Sequence, residues 1–533
     1  MAGRPRSGSP LEIVPSHRPR LVQSMNPIPL NELDASAAAR LLQRREISAE
    51  QLVRACLDRI DAREAAVLAW TFVAADSALA HARELDRGPI RGLLHGLPIG
   101  VKDLFDSADM PTEYGSPIYA QHQPATDAAA VALCREAGAV ILGKTVTTEF
   151  ATFHAGKTHN PHRLDCTPGG SSSGSAAAVA DYMVPLAFGT QTAASVIRPA
   201  AFCGVVGYKP SYGWIVRAGI KSLSESLDTV GAFGRSVADV ALFVAALTGD
   251  KRLLDIEGAS GARIGICRTH EWPRADADTQ AIMLQARDKL AHAGALLTDV
   301  TLPDLMASMV QVQTDIMAYE AARSLAPERI SHSKALSSEL STLLTAGMAI
   351  SRQRHQENLA AAVRGRQLID TCFDACDVLL APSAIGEAPT GLNATGDPVF
   401  SRMWTLLGLP CIHLPFASGQ HGLPLGLQLI GDGAIGDSAE HFAVVARFDR
   451  NHANQFGNAL GQISHGVQLM SFAFSPALSQ GFQTAFVGLG NGYRQTVRDQ
   501  IIPCVAGGHF DLVGLAAKAH DVMGEDHFSF CHI

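Results

Sequence analysis

Residues 167–178 read TPGGSSSGSAAA, and residues 189–204 read GTQTAASVIRPAAFCG. In the first stretch, glycines and serines run directly into a series of alanines, which favour a helix. Backbone N–H groups and hydroxyls at the start of such a helix stabilise negative charge. The same composition also fits an ordinary turn with a helix N-cap, and the stretch alone does not decide between the two interpretations.

The second stretch follows an apolar segment, residues 183–187, that predicts a buried strand. A strand followed by a turn of small residues can expose the hydroxyl of Ser195 with successive backbone N–H groups beside it. A nucleophile with an oxyanion hole requires this geometry. Taken alone, however, the pattern is a weak indication of a catalytic serine.

A third stretch, GLPIGVKD at residues 96–103, ends an apolar, strand-like run on Lys102. Burial disfavours the charged form of an amine and so lowers its pKa from the ordinary value of about 10.4. A neutral Lys102 would be a candidate general base. The competing interpretation is a lysine that is paired with an acidic residue at the end of a strand.

Two other kinds of site were compared with the serine-rich stretch. The phosphate-binding pattern G-x-x-x-x-G-K-[ST] is absent, whereas residues 170–174 match the G-x-S-x-G nucleophile elbow of α/β-hydrolases, centred on Ser172. That elbow needs a strand immediately before it. Residues 159–168, HNPHRLDCTP, are polar and interrupted by prolines, so they predict a loop. We therefore do not expect Ser172 to be the nucleophile.

Composition excludes several classes of protein. The chain has 533 residues and a net charge of −8, which argues against a nucleic-acid partner because such proteins usually carry a basic face. No window contains 18 clean apolar residues, so no transmembrane helix is expected. The ten cysteines form no C-x-x-C pair, which favours buried reduced thiols over a metal site or disulfides. We expect a cytoplasmic protein.

Apolar runs alternate with helical patterns along much of the chain. The predicted strands are at 140–142, 183–187, 264–267, 378–381, 411–414 and 425–430. The predicted helices are two within 34–65, and one each at 128–137, 238–248 and 278–294. This alternation predicts an α/β domain with a largely buried, partly parallel sheet. Residues 303–375 interrupt it with mostly helical patterns and are expected to form a cap over one edge of the sheet.

In combination and in this order, Lys102, GGSSSGS at 169–175 and SVIRPAAFCG at 195–204 resemble the amidase signature family. Other segments fit the family as well: TTEFA at 147–151, VGYKPSYG at 206–213, SESLDTVGAFGRS at 224–236, GDP at 396–398, WTLLGLPC at 404–411 and GLPLGLQLIG at 422–431. The resemblance implies an amidase signature domain over residues 27–445, with a large twisted mixed β-sheet flanked by helices on both sides.

The ends of the chain fall outside this resemblance. Residues 1–26 are rich in Arg, Pro and Ser and are expected to be a disordered extension. Residues 446–533 lose the alternation of strands and helices and depart from the family, in which chains usually finish soon after the last strand. We assign no role to this atypical tail.

The resemblance also implies a Ser-cisSer-Lys triad. By position, Ser195 is expected to be the nucleophile, Ser171 the bridging serine that follows a cis peptide bond from Gly170, and Lys102 the general base. The oxyanion hole is expected to consist of backbone N–H groups, those of Thr192, Ala193, Ala194 and Ser195. No metal and no organic cofactor is implied, and no histidine takes part.

The activity implied is that of an amidase acting on a small-molecule carboxamide, with anilides, esters and carbamates (a urethanase activity) left open. Substrate contacts are expected from Tyr114, Phe150, Gly170 and Gln191, and selectivity from residues 303–395. A homodimer is left open as the assembly. The alternative is a protein similar to the amide-transferring subunit of a glutamine-dependent amidotransferase, acting within a complex.

The chain departs from the family at QTAAS, residues 191–195, where many members have D-x-G-G-S. The backbone N–H groups of the oxyanion hole survive the change. A positive φ at Ala193 or Ala194 would, however, cost about 1–2 kcal/mol. Gln191 is compatible with a hydrolase that acts alone, and it weakens the similarity to the amidotransferase.

Overall fold

A computed structural model describes residues 28–254 and 261–432 of the chain. The predicted extension at 1–26 and the predicted tail at 446–533 lie outside these residues. Within them, eleven strands form one sheet. The strands are β1 (Trp70–Val73), β2 (Pro98–Lys102), β3 (Val140–Thr145), β4 (Leu186–Gln191), β5 (Val206–Lys209), β6 (Thr229–Gly234), β7 (Arg263–Cys267), β8 (Leu296–Val300), β9 (Val378–Pro382), β10 (Cys411–Ser418) and β11 (Pro424–Gly431).

The strand order across the sheet is β1-β3-β2-β4-β6-β5-β10-β11-β9-β7-β8. Strand β2 is parallel to both β3 and β4, and β7 is parallel to both β8 and β9. All other neighbouring strands are antiparallel. The sheet is therefore mixed, with a parallel group towards each end, and the predicted partly parallel sheet is confirmed.

Helices surround this sheet. They are α1 (Ala35–Gln43), α2 (Ala49–Val67), α3 (Ala75–Arg87), α4 (Ala129–Glu136), α5 (Ser173–Ala180), α6 (Ile197–Cys203), α7 (Val237–Thr248), α8 (Ala277–His292), α9 (Met309–Ser324), α10 (Ala326–Ser331), α11 (Ser338–Ala349), α12 (Arg352–Ile369) and α13 (Val399–Leu406). Strands β2 to β6 and β9 are buried at every position, which requires cover on both faces of the sheet. This confirms the predicted α/β fold class.

The predicted elements agree with the structure in type, and one strand differs in position. The apolar run at 183–187 predicted a strand there, but β4 begins at Leu186 and continues through Thr190 and Gln191. Both of these polar residues are buried, because they contact the candidate active site described below. A search for apolar runs misses the end of β4, because the strand ends on polar residues of the site. The segment 303–375 is helical as predicted, in α9 to α12.

Two expectations from composition concern the described residues. No helix there is long and apolar enough to cross a membrane. The cysteines of this part are free thiols, and all except Cys372 are buried. The predicted burial is confirmed for all of these cysteines except Cys372.

A glycine lets α5 closely approach the backbone next to β1 and β3. Gly174 lies in the first turn of α5, and its N–H donates to the carbonyl oxygen of Val146 at 3.0 Å. A Cβ at position 174 would lie 2.1 Å from the carbonyl oxygen of Ala69 and 2.4 Å from the backbone nitrogen of Val146. No side chain fits at that distance, so glycine here is required by the close approach of two backbones.

We therefore expect Gly174→Ala to lower the free energy of unfolding by about 1–3 kcal/mol or more, because the added methyl group overpacks a rigid contact. Urea unfolding measures the change. Gly88→Ala is the matched control, since a Cβ at residue 88 meets only ordinary contact, 3.4 Å from the oxygen of Glu84. Equal stability of the two variants would contradict the packing that we describe for α5.

Candidate active site

Three neighbouring segments bring the predicted triad residues to one edge of the sheet. Lys102 is the last residue of β2, Ser171 lies in the loop before α5, and Ser195 lies in the turn between β4 and α6. Strands β2 and β4 are parallel neighbours, so their carboxyl ends meet at the same edge, where α/β proteins generally bind ligands. The topology thus explains why residues distant in sequence are close in space.

The amine of Lys102 contacts two hydroxyl groups. Its Nζ lies 2.7 Å from Oγ of Ser171 and 2.7 Å from Oγ1 of Thr190. Lys102 is fully buried, and Ser171 is 1% exposed. A neutral amine has one lone pair as well as two hydrogens, so the short distance to Ser171 also fits a proton that passes from the hydroxyl to the amine.

Burial shifts the pKa of Lys102. Desolvation lowers the pKa of its amine well below the usual range, and the charge of Asp228 opposes this only in part. No carboxylate of the described residues lies within 4 Å of Nζ. The interpretation of Lys102 as one half of an ion pair is therefore not supported.

Lys144, on the neighbouring strand β3, provides the contrast. It is also fully buried, but its Nζ lies 3.2 Å from Oδ1 of Asp103 and donates to Thr112 and to the carbonyl of Phe105. Burial lowers the pKa of this amine too, while Asp103 acts against that shift. Of these two buried lysines, Lys144 has the paired, structural arrangement and Lys102 has the unpaired one.

The serine-rich loop is fixed around its cis peptide bond. The bond between Gly170 and Ser171 is cis, as the resemblance implied. Arg198, from the SVIRPAAFCG stretch, is buried and donates to the carbonyl oxygen of Gly170 at 2.7 Å. It also donates to the carbonyl oxygen of Gly396 at 2.6 Å and to Oγ1 of Thr395 at 3.0 Å. Arg198, which sequence analysis did not single out, thus joins three segments of the site.

Ser172, the serine of the G-x-S-x-G match, is oriented towards the interior of the protein. Its hydroxyl is fully buried and donates to the carbonyl oxygen of Ser195 at 2.6 Å. A loop, and not a strand, precedes it. This arrangement agrees with the expectation that Ser172 is not a nucleophile, and its contact places the Ser171 loop against the turn that carries Ser195.

The turn before α6 presents unused backbone donors. The hydroxyl of Ser195 and the N–H groups of Ala193, Ala194 and Ser195 make no hydrogen bond to other described residues. The carbonyl oxygens of the turn are occupied instead: that of Ala193 accepts from Oγ1 of Thr405 at 2.9 Å, and that of Ala194 accepts from the N–H of Arg198 at 2.9 Å. A turn held in this way leaves its N–H groups available to an oxyanion.

The two alanines do not strain this turn. Neither Ala193 nor Ala194 is among the described residues with positive φ. The anticipated cost of placing alanine where many family members have glycine therefore does not arise.

Gln191 and Asp228 hold the turn from either side. Oε1 of Gln191 accepts from the N–H groups of Val196 and Ile197 at 2.9 and 3.0 Å, and its Nε2 donates to Thr405. This side chain is fully buried and engaged at both ends, and it fixes the start of α6. A contact between Gln191 and substrate stays a prediction. Oδ1 of Asp228 accepts from Oγ1 of Thr192 at 2.6 Å.

Two of the other predicted substrate contacts, Tyr114 and Phe150, are buried. The hydroxyl of Tyr114 donates to Asp106 at 2.7 Å, and Phe150 is 1% exposed. Both rings pack against Tyr119. Gly170 lies at the cis bond, and a Cβ there would meet Thr395 at 2.7 Å.

A small pocket adjoins Ser195, and we call it the Ser195 pocket. Its lining is mostly apolar. It comes from the segment after Phe150, from α9 and α11, and from residues 192–195, which we call the oxyanion turn. The lining residues are Ala151, Thr152, Phe153, Thr192, Ala193, Ser195, Arg198, Leu223, Met317, Leu343 and Pro398. Residues 303–395 are predicted to determine selectivity, and two residues of that region, Met317 and Leu343, line the pocket. No group of three metal-ligating side chains occurs within residues 28–254 and 261–432.

Comparison with known proteins agrees with this geometry. The family model described as Amidase matches residues 51–435. One subunit of glutamyl-tRNA(Gln) amidotransferase from Anaeromyxobacter sp. (strain K) is 34% identical, over 75% of this chain and 92% of its own length. A crystal structure of an amidase superposes with a TM-score of 0.73 at 30% identity, covering 79% of this chain and all of that one. Native peptide amidase from Stenotrophomonas maltophilia superposes with a TM-score of 0.70 at 29% identity, covering 80% of this chain and 98% of that one.

The matched region contains both the sheet and all three triad positions, and it extends over more than half of the chain. This protein belongs to the Amidase family.

Proposed function

We propose that this protein hydrolyses carboxamides through an acyl-enzyme formed on Ser195, with Ser171 as the proton shuttle and Lys102 as the general base. The observation that carries the proposal is the 2.7 Å contact between Nζ of Lys102 and Oγ of Ser171, made by a buried amine without a carboxylate partner among the described residues. Burial lowers the pKa of such an amine, and its neutral form can accept a proton.

The first half of the reaction forms the ester. Lys102 takes a proton from Ser171, which takes one from Ser195, and Oγ of Ser195 attacks the amide carbonyl carbon. The N–H groups of residues 192–195 stabilise the resulting oxyanion. The tetrahedral intermediate collapses when the C–N bond breaks and the departing nitrogen receives a proton from Ser171, which Lys102 reprotonates.

The second half releases the acyl group. Water attacks the ester carbonyl and gives its proton to Lys102 through Ser171. The C–O bond to Ser195 then breaks, and Ser195 recovers its proton. The sum is one amide and one water converted to one carboxylic acid and one amine, with no redox step. Because one acyl group gives the same acyl-enzyme whatever its leaving group, anilides and esters are candidate substrates too. A carbamate would instead leave a carbamoyl or alkoxycarbonyl group on Ser195.

The residues around Ser195 make an apolar amide the substrate to test first, ahead of free glutamine. Its lining includes no carboxylate, and its one cation, Arg198, already donates to Gly170, Thr395 and Gly396. Glutamine carries an ammonium group, whose burial is costly without an opposite charge. The apolar side chains Phe153, Met317 and Leu343 instead offer contact area to an alkyl or aryl group.

The alternative is an amide-transferring protein that acts within a complex. The observation in its favour is the 34% identity to one subunit of glutamyl-tRNA(Gln) amidotransferase. On this alternative, the protein would show little hydrolysis alone and would prefer glutamine as its amide.

Assay of the purified full chain separates the two functions. We expect hydrolysis of short apolar amides or aryl anilides, within a panel that also contains carbamates, esters and glutamine. Ser195→Ala and Lys102→Met should lower kcat on the order of 10³-fold or more, because triad members act as a unit. Ser172→Ala is the control, and a fluorophosphonate should still modify its Ser195.

Peptide mapping by mass spectrometry locates the adduct. An adduct on Ser172, or full activity of Ser195→Ala, would contradict the mechanism. Hydrolysis of glutamine with no hydrolysis of apolar amides would favour the amidotransferase alternative.

The pH dependence of kcat/KM should follow Lys102. Burial lowers the pKa of its amine, so the amine is neutral at a pH where an exposed lysine is still charged. As the pH falls through this lowered pKa, the amine becomes protonated and can no longer accept a proton, and the rate should fall. A rate that is constant between about pH 5 and pH 9 would contradict a lysine base.

A further inference from the structure

Helix α9 brings one buried glutamine to the oxyanion turn. Gln313 is fully buried, and its Nε2 donates to the carbonyl oxygen of Thr192 at 2.8 Å. It lies in the helical segment 303–375, outside the motifs that carry the family resemblance. Met317, one helical turn further on, lines the Ser195 pocket, so α9 contacts both the pocket and the turn.

Arg402 fixes the orientation of the Gln313 amide. Its Nη1 donates to Oε1 of Gln313. A guanidinium group can only donate hydrogen bonds, so the amide must direct its oxygen to Arg402 and its NH₂ group to Thr192. Arg402 comes from α13, and it is 9% exposed. Residues from α9 and α13 thus together direct the NH₂ group of Gln313 to the carbonyl oxygen of Thr192.

This donor determines where an oxyanion-hole group points. The carbonyl of Thr192 and the N–H of Ala193 belong to one planar, trans peptide unit, in which the two groups point in opposite directions. Holding the carbonyl oxygen therefore orients the N–H of Ala193, which makes no hydrogen bond to other described residues. In the next unit, the carbonyl of Ala193 lies 2.9 Å from Oγ1 of Thr405, whose one hydroxyl hydrogen it shares with the carbonyl of Ser401 at 3.0 Å.

We infer that Gln313 is a positioning residue for the oxyanion hole, with its amide oriented by Arg402. Gln313 contacts no reacting atom. It acts through the Thr192–Ala193 peptide, and its effect is on the stabilisation of the tetrahedral intermediate rather than on the base. The inference rests on the proposed function, because an oxyanion forms only if Ser195 attacks a carbonyl.

Two variants and one control test the inference in the full chain. Gln313→Glu matches the amide in size and keeps an acceptor for Arg402, but it places an oxygen against the carbonyl of Thr192. Gln313→Leu removes both hydrogen bonds. Gln311→Leu is the matched control, because Gln311 lies on the same helix, is exposed and donates only to Asp315. Thermal unfolding verifies that each variant is folded.

The readout is the pH profile of the rate at which a fluorophosphonate modifies Ser195, since the phosphoryl oxygen of the probe occupies the oxyanion hole. We expect the plateau rate to fall on the order of 10- to 100-fold in both Gln313 variants, with the midpoint of the acid limb unchanged. Gln311→Leu should behave as the unmodified protein does. If Gln313→Leu does not fold, Gln313→Glu alone carries the test.

Three results would overturn the inference. A folded Gln313→Glu that reacts within twofold of the unmodified protein would show that the amide does not position the turn. A fall in rate together with a shifted midpoint would show an effect on Lys102 and not on the oxyanion hole. Absence of any adduct on Ser195 of the unmodified protein would refute the proposed function itself, which separates that failure from the other two.

Discussion

The candidate active site depends on an amine that is buried without a carboxylate in contact with it among the described residues. An amine in this position is stable only in its neutral form, since transfer of an unpaired ammonium group out of water is costly. In this protein two hydroxyl groups, those of Ser171 and Thr190, satisfy Lys102, and no carboxylate of the described residues does. Lys144, on the neighbouring strand, is buried in a different way, because the carboxylate of Asp103 pairs with its amine. Two lysines with equal burial therefore differ in what they can do chemically.

The rest of the site keeps hydroxyls and N–H groups in fixed positions around that amine. Gly174 permits the close approach of α5, and Arg198 holds the cis peptide through the carbonyl of Gly170. The turn that carries Ser195 is held through its carbonyl oxygens by side chains from α9 and α13. Donors that are oriented before the reaction need no reorganisation when charge develops, and this is the main source of electrostatic stabilisation in such sites. Many residues outside the triad are therefore needed to hold these few donors in position.

Much of the fold could be predicted because the strands are apolar and the triad residues lie in unusual stretches. The alternation of apolar runs and helical patterns indicated the buried α/β sheet, and the order of Lys102, Ser171 and Ser195 indicated the site. Contacts made by isolated polar residues could not be found in this way. The amide oxygen of Gln191 accepts from two backbone N–H groups at the start of α6, a contact that no sequence pattern indicated. Gln313 lies in a helix without any motif, and only the tertiary fold brings it to Thr192.

Direct titration of Lys102 tests whether its amine is neutral in the folded protein. Lysine side chains of the full chain can be labelled with ¹³C at Cε and followed by NMR as the pH is raised, with Lys102→Met used to assign the signal. We expect Lys102 to titrate well below the ordinary lysine value of about 10.4 and to be neutral where exposed lysines remain charged. A signal that stays in the protonated position up to about pH 10 would show that Lys102 is charged in the folded protein, and it could not then be the base.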